Sequence, residues 1–454
     1  MNITNSTLRP RYTSGEIKPS EVMAHVLGRL DDPDQAGVWI SSVEPDAAMA
    51  AARKMDERIG EIDKLPLYGL VLSIKDCIDL AGAPTTAACP EFAYTPKASG
   101  PVVEKAIEAG TLYIGKTNMD QFATGLVGVR SPYGVARNPH NPGYIPSGSS
   151  SGAAVSIATG TSSIALATDT GGSGRVPASY CSITGLKPGP GALSGRGMVH
   201  ACRSFETISI FAQTPADAFM ALEVLAGYDA DDCFSDPSYC LFAGDAASTP
   251  LHEMRIAAPM RSQRKFFGNR DTENLFEQAL ATAGEVFAGI EDVDFTVFLE
   301  INDLMYFGPF LAERDVAVGD FLRARPEAGE KVVRELILGS GSQTAADVYR
   351  ALYGVAEARR RLESFWRKFD ALLVPTVRTI QTVDEVMREP LESNFDNGYY
   401  THFANPLGLA SISIPNGLTP PGVPHGITLL VPAGGESLLV RMAEEFLDAR
   451  HKRP

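Results

Sequence analysis

Between Ser131 and Gly197 the chain changes character: glycine, serine, threonine, proline and alanine dominate, and large apolar side chains thin out. Such a stretch is either a solvated flexible linker or a tightly packed interior in which backbones approach closely. Two runs inside it decide between these. Ala153-Ala-Val-Ser-Ile-Ala158 is helix-like and Ser163-Ile-Ala-Leu-Ala167 strand-like, both built from small apolar residues that pack closely and are out of place in a solvated linker. The stretch is therefore read as core.

What surrounds it alternates helix and strand. Val22, Met23, Val26, Leu27 and Leu30 recur at helical spacing behind Pro19-Ser20, and a second helix is predicted over Asp46 to Ile62. Gly69-Leu-Val-Leu-Ser-Ile-Lys75-Asp76 is short and nearly all apolar, as a strand covered on both faces requires. A helix over Pro101 to Ala109 leads into Leu112-Tyr-Ile114, a helix-to-strand step of α/β proteins. Asp229 to Thr249 is loop-rich. Amphipathic helices are predicted around Glu273 to Phe287, Val332 to Leu338 and Ala345 to Phe369, before a last strand over Gly426 to Val431 and a helix over Glu436 to Ala449.

With 454 residues, 44% hydrophobic and 21% charged, the chain is not disordered, collagenous or coiled-coil. Its net charge of −15 is spread along the sequence without a cationic cluster, which argues against nucleic-acid binding. Neither a secretory apolar core nor a stretch of ~20 apolar residues is found, so a cytoplasmic, non-membrane protein is expected. The six cysteines are too sparse for a disulfide framework and form no CxxC pair; they are read as reduced, mostly buried thiols, with no metal implied.

Three patterns mislead. Gly110-Thr-Leu-Tyr-Ile-Gly115-Lys116-Thr117 satisfies the P-loop expression, but its middle residues are strand formers where a phosphate cradle needs a loop. Gly148-Ser-Ser150-Ser-Gly152 fits a GxSxG elbow, but Pro146 spoils the strand that should enter it. Gly339-Ser-Gly341 lacks the third glycine of a dinucleotide fingerprint.

Three other segments belong together: Ser73-Ile-Lys75-Asp76, Ser147-Gly-Ser149-Ser-Ser-Gly152 and Asp169-Thr-Gly-Gly-Ser173-Gly-Arg-Val-Pro-Ala178. Thr170-Gly-Gly172 permits a tight turn with converging N–H groups, and Ser173 sets a hydroxyl beside them, as stabilising a tetrahedral oxyanion requires. Alone, this reads first as a glycine turn with a capping serine. Lys75, ending a buried run, either pairs with a carboxylate such as Asp76 or loses its proton and becomes a base.

In order and register the three segments resemble the amidase signature family, over nearly the whole chain, with Lys75, Ser149 and Ser173 in that family's pattern. Within it, Asp79 to Tyr94, Gly125 to Gly134, Gly172 to Ala178 and Ala201 to Ser204 are similar to the amidase domain of allophanate hydrolases. The resemblance implies one α/β domain over 1–454, a mixed, largely parallel sheet with helices on both faces. It implies a Ser–cisSer–Lys mechanism through an acyl-enzyme: neutral Lys75 takes a proton from Ser149, and Ser149 from Ser173, which attacks the amide carbonyl. Backbone N–H groups of Thr170, Gly171, Gly172 and Ser173 are expected to hold the oxyanion. Tyr306 and Arg314, eight residues apart (314 − 306 = 8), are implied to bind a substrate carboxylate. No metal or organic cofactor is implied.

The expected substrate is a small carboxylated amide, allophanate first, with ammonia released. The glutamine-hydrolysing component of a tRNA-dependent amidotransferase, a general amidase and a non-catalytic scaffold are the alternatives, and a homodimer or a small partner subunit stays open. The chain stops where many allophanate hydrolases continue into a C-terminal domain, whose role is expected to be absent or supplied by another protein.

Overall fold

The computed structural model describes residues 1–242, 249–306 and 308–452. Among the described residues eleven strands form one sheet: β1 (Trp39–Ser42), β2 (Val71–Lys75), β3 (Leu112–Thr117), β4 (Ile164–Asp169), β5 (Thr184–Lys187), β6 (Thr207–Ala212), β7 (Arg255–Pro259), β8 (Gly289–Val293), β9 (Ala371–Pro375), β10 (Leu409–Leu418) and β11 (Pro424–Pro432). Their order is β1-β3-β2-β4-β6-β5-β10-β11-β9-β7-β8. The small-residue stretch of the sequence supplies β4 and β5 at the sheet's centre, with every residue of both strands buried.

The fold is a mixed α/β sheet between helices, as expected, but its parallel share is smaller than "largely parallel". Parallel ladders join β2 to β3 and β4, and β7 to β8 and β9. The pairings β1/β3, β4/β6, β5/β6, β5/β10, β10/β11 and β9/β11 are antiparallel. Connection length explains part of this: β10 and β11 are separated only by residues 419–423, too few for the crossover a parallel pair needs.

Alternation along the central strands shows both faces covered. Ile164 and Leu166 of β4 enter one apolar cluster with Val102, Ala218 and Leu222 of neighbouring helices. Ala165 and Ala167 enter another with Ala153, Ala154 and Ile157 of the helix Ser151–Ala158. The same helix also packs closely against the chain entering β1, where a Cβ on Gly152 would meet Val38 O at 2.2 Å.

The predicted helices are present with shifted ends: Pro19–Leu27, Pro45–Glu57, Pro101–Glu108, Arg270–Val286, Lys331–Gly339, Ala345–Trp366 and Glu436–His451. The stretch predicted as helix to Ile62 breaks into a 3₁₀ segment, Ile59–Lys64. Part of the predicted loop, 243–248, lies outside the described residues. Among the described residues no helix is long and apolar enough to cross a membrane.

The P-loop match dissolves, since Gly115, Lys116 and Thr117 are in β3 and the buried Lys116 Nζ donates to Ile78 O. Ser150, the middle of the GxSxG match, precedes the helix Ser151–Ala158 and donates to Thr168 O. Four cysteines are buried, Cys233 and Cys240 are exposed, and all six are unbridged.

Candidate active site

Strands β2 and β4 run parallel side by side, and their C-terminal ends deliver Lys75 and Thr168 to one spot. Lys75 Nζ lies 2.7 Å from Ser149 Oγ and 2.7 Å from Thr168 Oγ1. Ser149 Oγ in turn lies 2.9 Å from Ser173 Oγ. All three predicted side chains thus form one chain of hydrogen bonds, with Ser149 in the middle, joined through a cis peptide to Gly148. Asp76, the residue just past the end of β2, does not pair with Lys75: its Oδ2 accepts from Thr86 and Ala88 N–H instead.

Lys75 is fully buried and has no ion-pair partner among the described residues. Burial pushes its ammonium well below the ordinary lysine range, only partly opposed by the fields of Cys77, Asp120, Glu206 and Asp169. Such an amine is prepared to be neutral, with a lone pair for one hydroxyl while an N–H donates to the other.

The turn carrying Ser173 is held by a clamp that motif reading passed over. Asp169 and Arg175, both fully buried, form a bidentate pair with Nε–Oδ2 and Nη2–Oδ1 each 2.9 Å. Burial alone would push the Asp169 carboxyl up; Arg175 outweighs it and holds it below the usual range. Asn405 and Thr401 add further contacts: Arg175 Nη2 donates to Thr401 O at 3.1 Å, and Asn405 Nδ2 to Asp169 O at 2.8 Å. Losing one partner of such a pair would leave a buried charge uncompensated, a cost of about 3–5 kcal/mol.

That clamp corrects one expectation. The Gly172 N–H donates to Asp169 Oδ1 at 2.9 Å, so it is engaged and cannot also face an oxyanion. Gly172, at φ +138°, has no room for a side chain, because a Cβ would meet Thr401 Oγ1 at 2.4 Å. The N–H groups of Thr170, Gly171 and Ser173 have no hydrogen-bond partner among the described residues.

In front of Ser173 is a cavity of about 60 Å³ lined by Thr170, Gly171, Arg314, Met305, His402 and the 123–126 loop, room for a handful of water-sized groups. Arg314 reaches its wall from the short helix Ala312–Arg314. Its Nε is sealed from solvent without a hydrogen-bond partner, and no carboxylate among the described residues lies within ion-pair distance. The helix Thr296–Tyr306 ends at Tyr306, whose side chain lies outside the described residues.

Sequence reading missed His402, 229 positions beyond Ser173 (402 − 173). His402 Nδ1 bonds Gly398 O at 2.6 Å, and burial lowers its pKa to about 4, so the ring is neutral near pH 7. Thr168 and Asp120 were also missed. Asp120 accepts the N–H groups of Val127, Gly128 and Arg130 and so shapes the cavity's 123–130 loop. No signal in a single sequence separates these from ordinary core polar residues. Among the described residues no His, Cys, Asp and Glu group could hold a metal ion.

Comparison with known proteins bears on this geometry. The amidase family model matches residues 21–440. The urea amidolyase of Saccharomyces cerevisiae is 36% identical over 399 residues, covering 86% of this chain and 21% of that protein. The chain thus spans about a fifth of the length of that relative. A glutamyl-tRNA(Gln) amidotransferase subunit of Desulfatibacillum aliphaticivorans is 30% identical, covering 100% of this chain and 99% of that protein. A solved structure of Kluyveromyces lactis allophanate hydrolase superimposes with TM-score 0.89 at 33% identity, covering 97% of this chain and 72% of that one.

Proposed function

The chain belongs to the amidase family of amide C–N hydrolases, and we propose that it cleaves a small carboxylated amide, allophanate first, by a Ser173–Ser149–Lys75 relay. The observation that carries the substrate class is Arg314, a guanidinium at the wall of the Ser173 cavity that has no carboxylate within ion-pair distance among the described residues and feels Glu206 and Glu313 only through their fields. Guanidinium offers paired planar donors and cannot lose its charge, which suits a carboxylate. Tyr306 joins Arg314 in this reading on the family resemblance alone.

In the proposed mechanism neutral Lys75 takes the proton of Ser149 as Ser149 takes that of Ser173. Ser173 Oγ attacks the terminal amide carbonyl, and the N–H groups of Gly171 and Ser173, with Thr170, receive the oxyanion, each well-placed donor being worth ~3–4 kcal/mol in comparable sites. The relay returns the proton to the leaving nitrogen, which departs as ammonia. Water then cleaves the acyl-enzyme, and from allophanate the product is an N-carboxylated carbamate, able to lose carbon dioxide afterwards. The Saccharomyces relative's name supports a urea-derived amide.

The second reading, glutamine hydrolysis within a tRNA-dependent amidotransferase, is favoured by the full-length match to the Desulfatibacillum protein. It predicts dependence on partner subunits.

Arg314→Ala should lower kcat/KM for allophanate by an amount on the order of 2–5 kcal/mol, by analogy with buried charge pairs, and affect the neutral amide biuret much less. Arg314→Lys should also be poorly tolerated, since an ammonium cannot reproduce the planar fork. Equal slowing of neutral and carboxylated amides by Arg314→Ala would make Arg314 structural and leave an amidase of unassigned specificity.

A further inference from the structure

The segment 201–206 is bonded both to the turn that carries Ser173 and to the residue beside Arg314. At the turn, Glu206 Oε2 accepts the Thr170 hydroxyl at 3.3 Å, and the same carboxylate is bound by Ala201 N–H and His200. Asn405 adds a second tie there, its Nδ2 donating to Phe205 O at 3.1 Å and to Asp169 O at 2.8 Å. Glu313, the residue before Arg314, reaches back to the same segment. Its Oε2 accepts Ser204 N–H at 2.9 Å and its Oε1 the Cys202 thiol at 3.2 Å. Phe205 meets Phe310 edge to face, ring centroids 4.9 Å apart, and both rings are buried.

Glu313 therefore spends the hydrogen bonds of both oxygens on the 201–206 segment and acts on Arg314, which it adjoins, only through its field. Arg314 lies in the first turns of a helical run in which Pro309–Leu311, Ala312–Arg314, Asp315–Gly319 and Asp320–Ala324 follow one another without a break, and a run of that length is held in place by packing more than by its own helical propensity. The place of this run relative to the oxyanion turn is set by what it packs against. The 201–206 segment is cross-linked to both, and so fixes their separation.

We propose that the 201–206 segment is a spacer that sets the distance from Ser173 to the Arg314 guanidinium, with Glu313 the positioning residue through which Arg314 is held, so that the enzyme selects carboxylated amides by length. This rests on the reading of Arg314 as the carboxylate site. It adds that the wall behind Arg314, and not the guanidinium alone, decides which chain length fits.

The test compares allophanate, the longer succinamate and neutral biuret as substrates of the wild-type chain, Glu313→Ala and Glu313→Asp. Glu313→Ala is expected to raise KM for allophanate by about tenfold or more with a much smaller change in kcat, the pattern of lost positioning of a binding group. The allophanate-to-succinamate ratio of kcat/KM should fall by a similar factor, and biuret kinetics should stay near wild type. Glu313→Asp keeps the charge but falls a methylene short, and should move the ratio the same way by less; it also serves if Glu313→Ala does not fold. A variant that slows all three amides equally, or an unchanged length ratio in a folded variant, would overturn the spacer while leaving Arg314 as carboxylate site. A wild-type enzyme indifferent to the carboxylate would overturn both.

Discussion

Ser173→Ala is expected to lower the rate of ammonia release by a factor on the order of 10⁴–10⁶, the range seen when a hydrolase loses its nucleophile. The fold should survive. Ser173 is buried, but its hydroxyl has Ser149 as its one hydrogen-bond partner among the described residues, a contact worth about 1 kcal/mol. The turn around it is held by other groups, the Asp169–Arg175 pair and its bonds to Gly172 and Gly174 N–H. Steady-state ammonia release beside a thermal unfolding scan separates the two effects. Near-normal turnover by a correctly folded Ser173→Ala chain would remove Ser173 as nucleophile.

Lys75→Ala should also be severely damaging, though less so than Ser173→Ala, with a loss of about 10²–10⁴-fold as expected for removing a positioned base. The wild-type pH profile carries the same information with a definite sign. A base works only when its proton is absent, and burial depresses the Lys75 pKa. Activity should therefore be present above that depressed value and fall roughly tenfold per pH unit below it. The acid limb should disappear in Lys75→Ala along with the activity. His402 cannot supply the limb near neutrality, since its pKa of about 4 leaves the ring neutral there. A profile unaffected by pH, in an enzyme that tolerates Lys75→Ala, would end the relay.

Lys75, Ser149 and Ser173 could be picked from the sequence because each sits in a local pattern with its own chemical logic: a charge ending an apolar run, and hydroxyls among glycines. The strand that carries Lys75 was legible for the same reason. What the sequence did not carry is whatever depends on sheet order. Thr168 meets Lys75 only because β4 pairs with β2, and Asn405 reaches Asp169 across 236 positions (405 − 169) because the chain returns beside the turn. The clamp had both its charges in view, six residues apart around a glycine turn, yet backbone N–H bookkeeping was needed to see that Gly172 is consumed by Asp169. The antiparallel share of the sheet was hidden likewise, since β5, β6, β10 and β11 are buried strands whose patterns look alike in either orientation.

The central claim, a serine-relay amidase that recognises a small carboxylated amide through its own residues, is tested most directly by one comparison. Ammonia release by the purified chain, alone and without tRNA, is measured side by side with allophanate and glutamine. The relay with Arg314 as carboxylate site predicts turnover of allophanate and a far lower kcat/KM for glutamine. Release from glutamine with none from allophanate would contradict it.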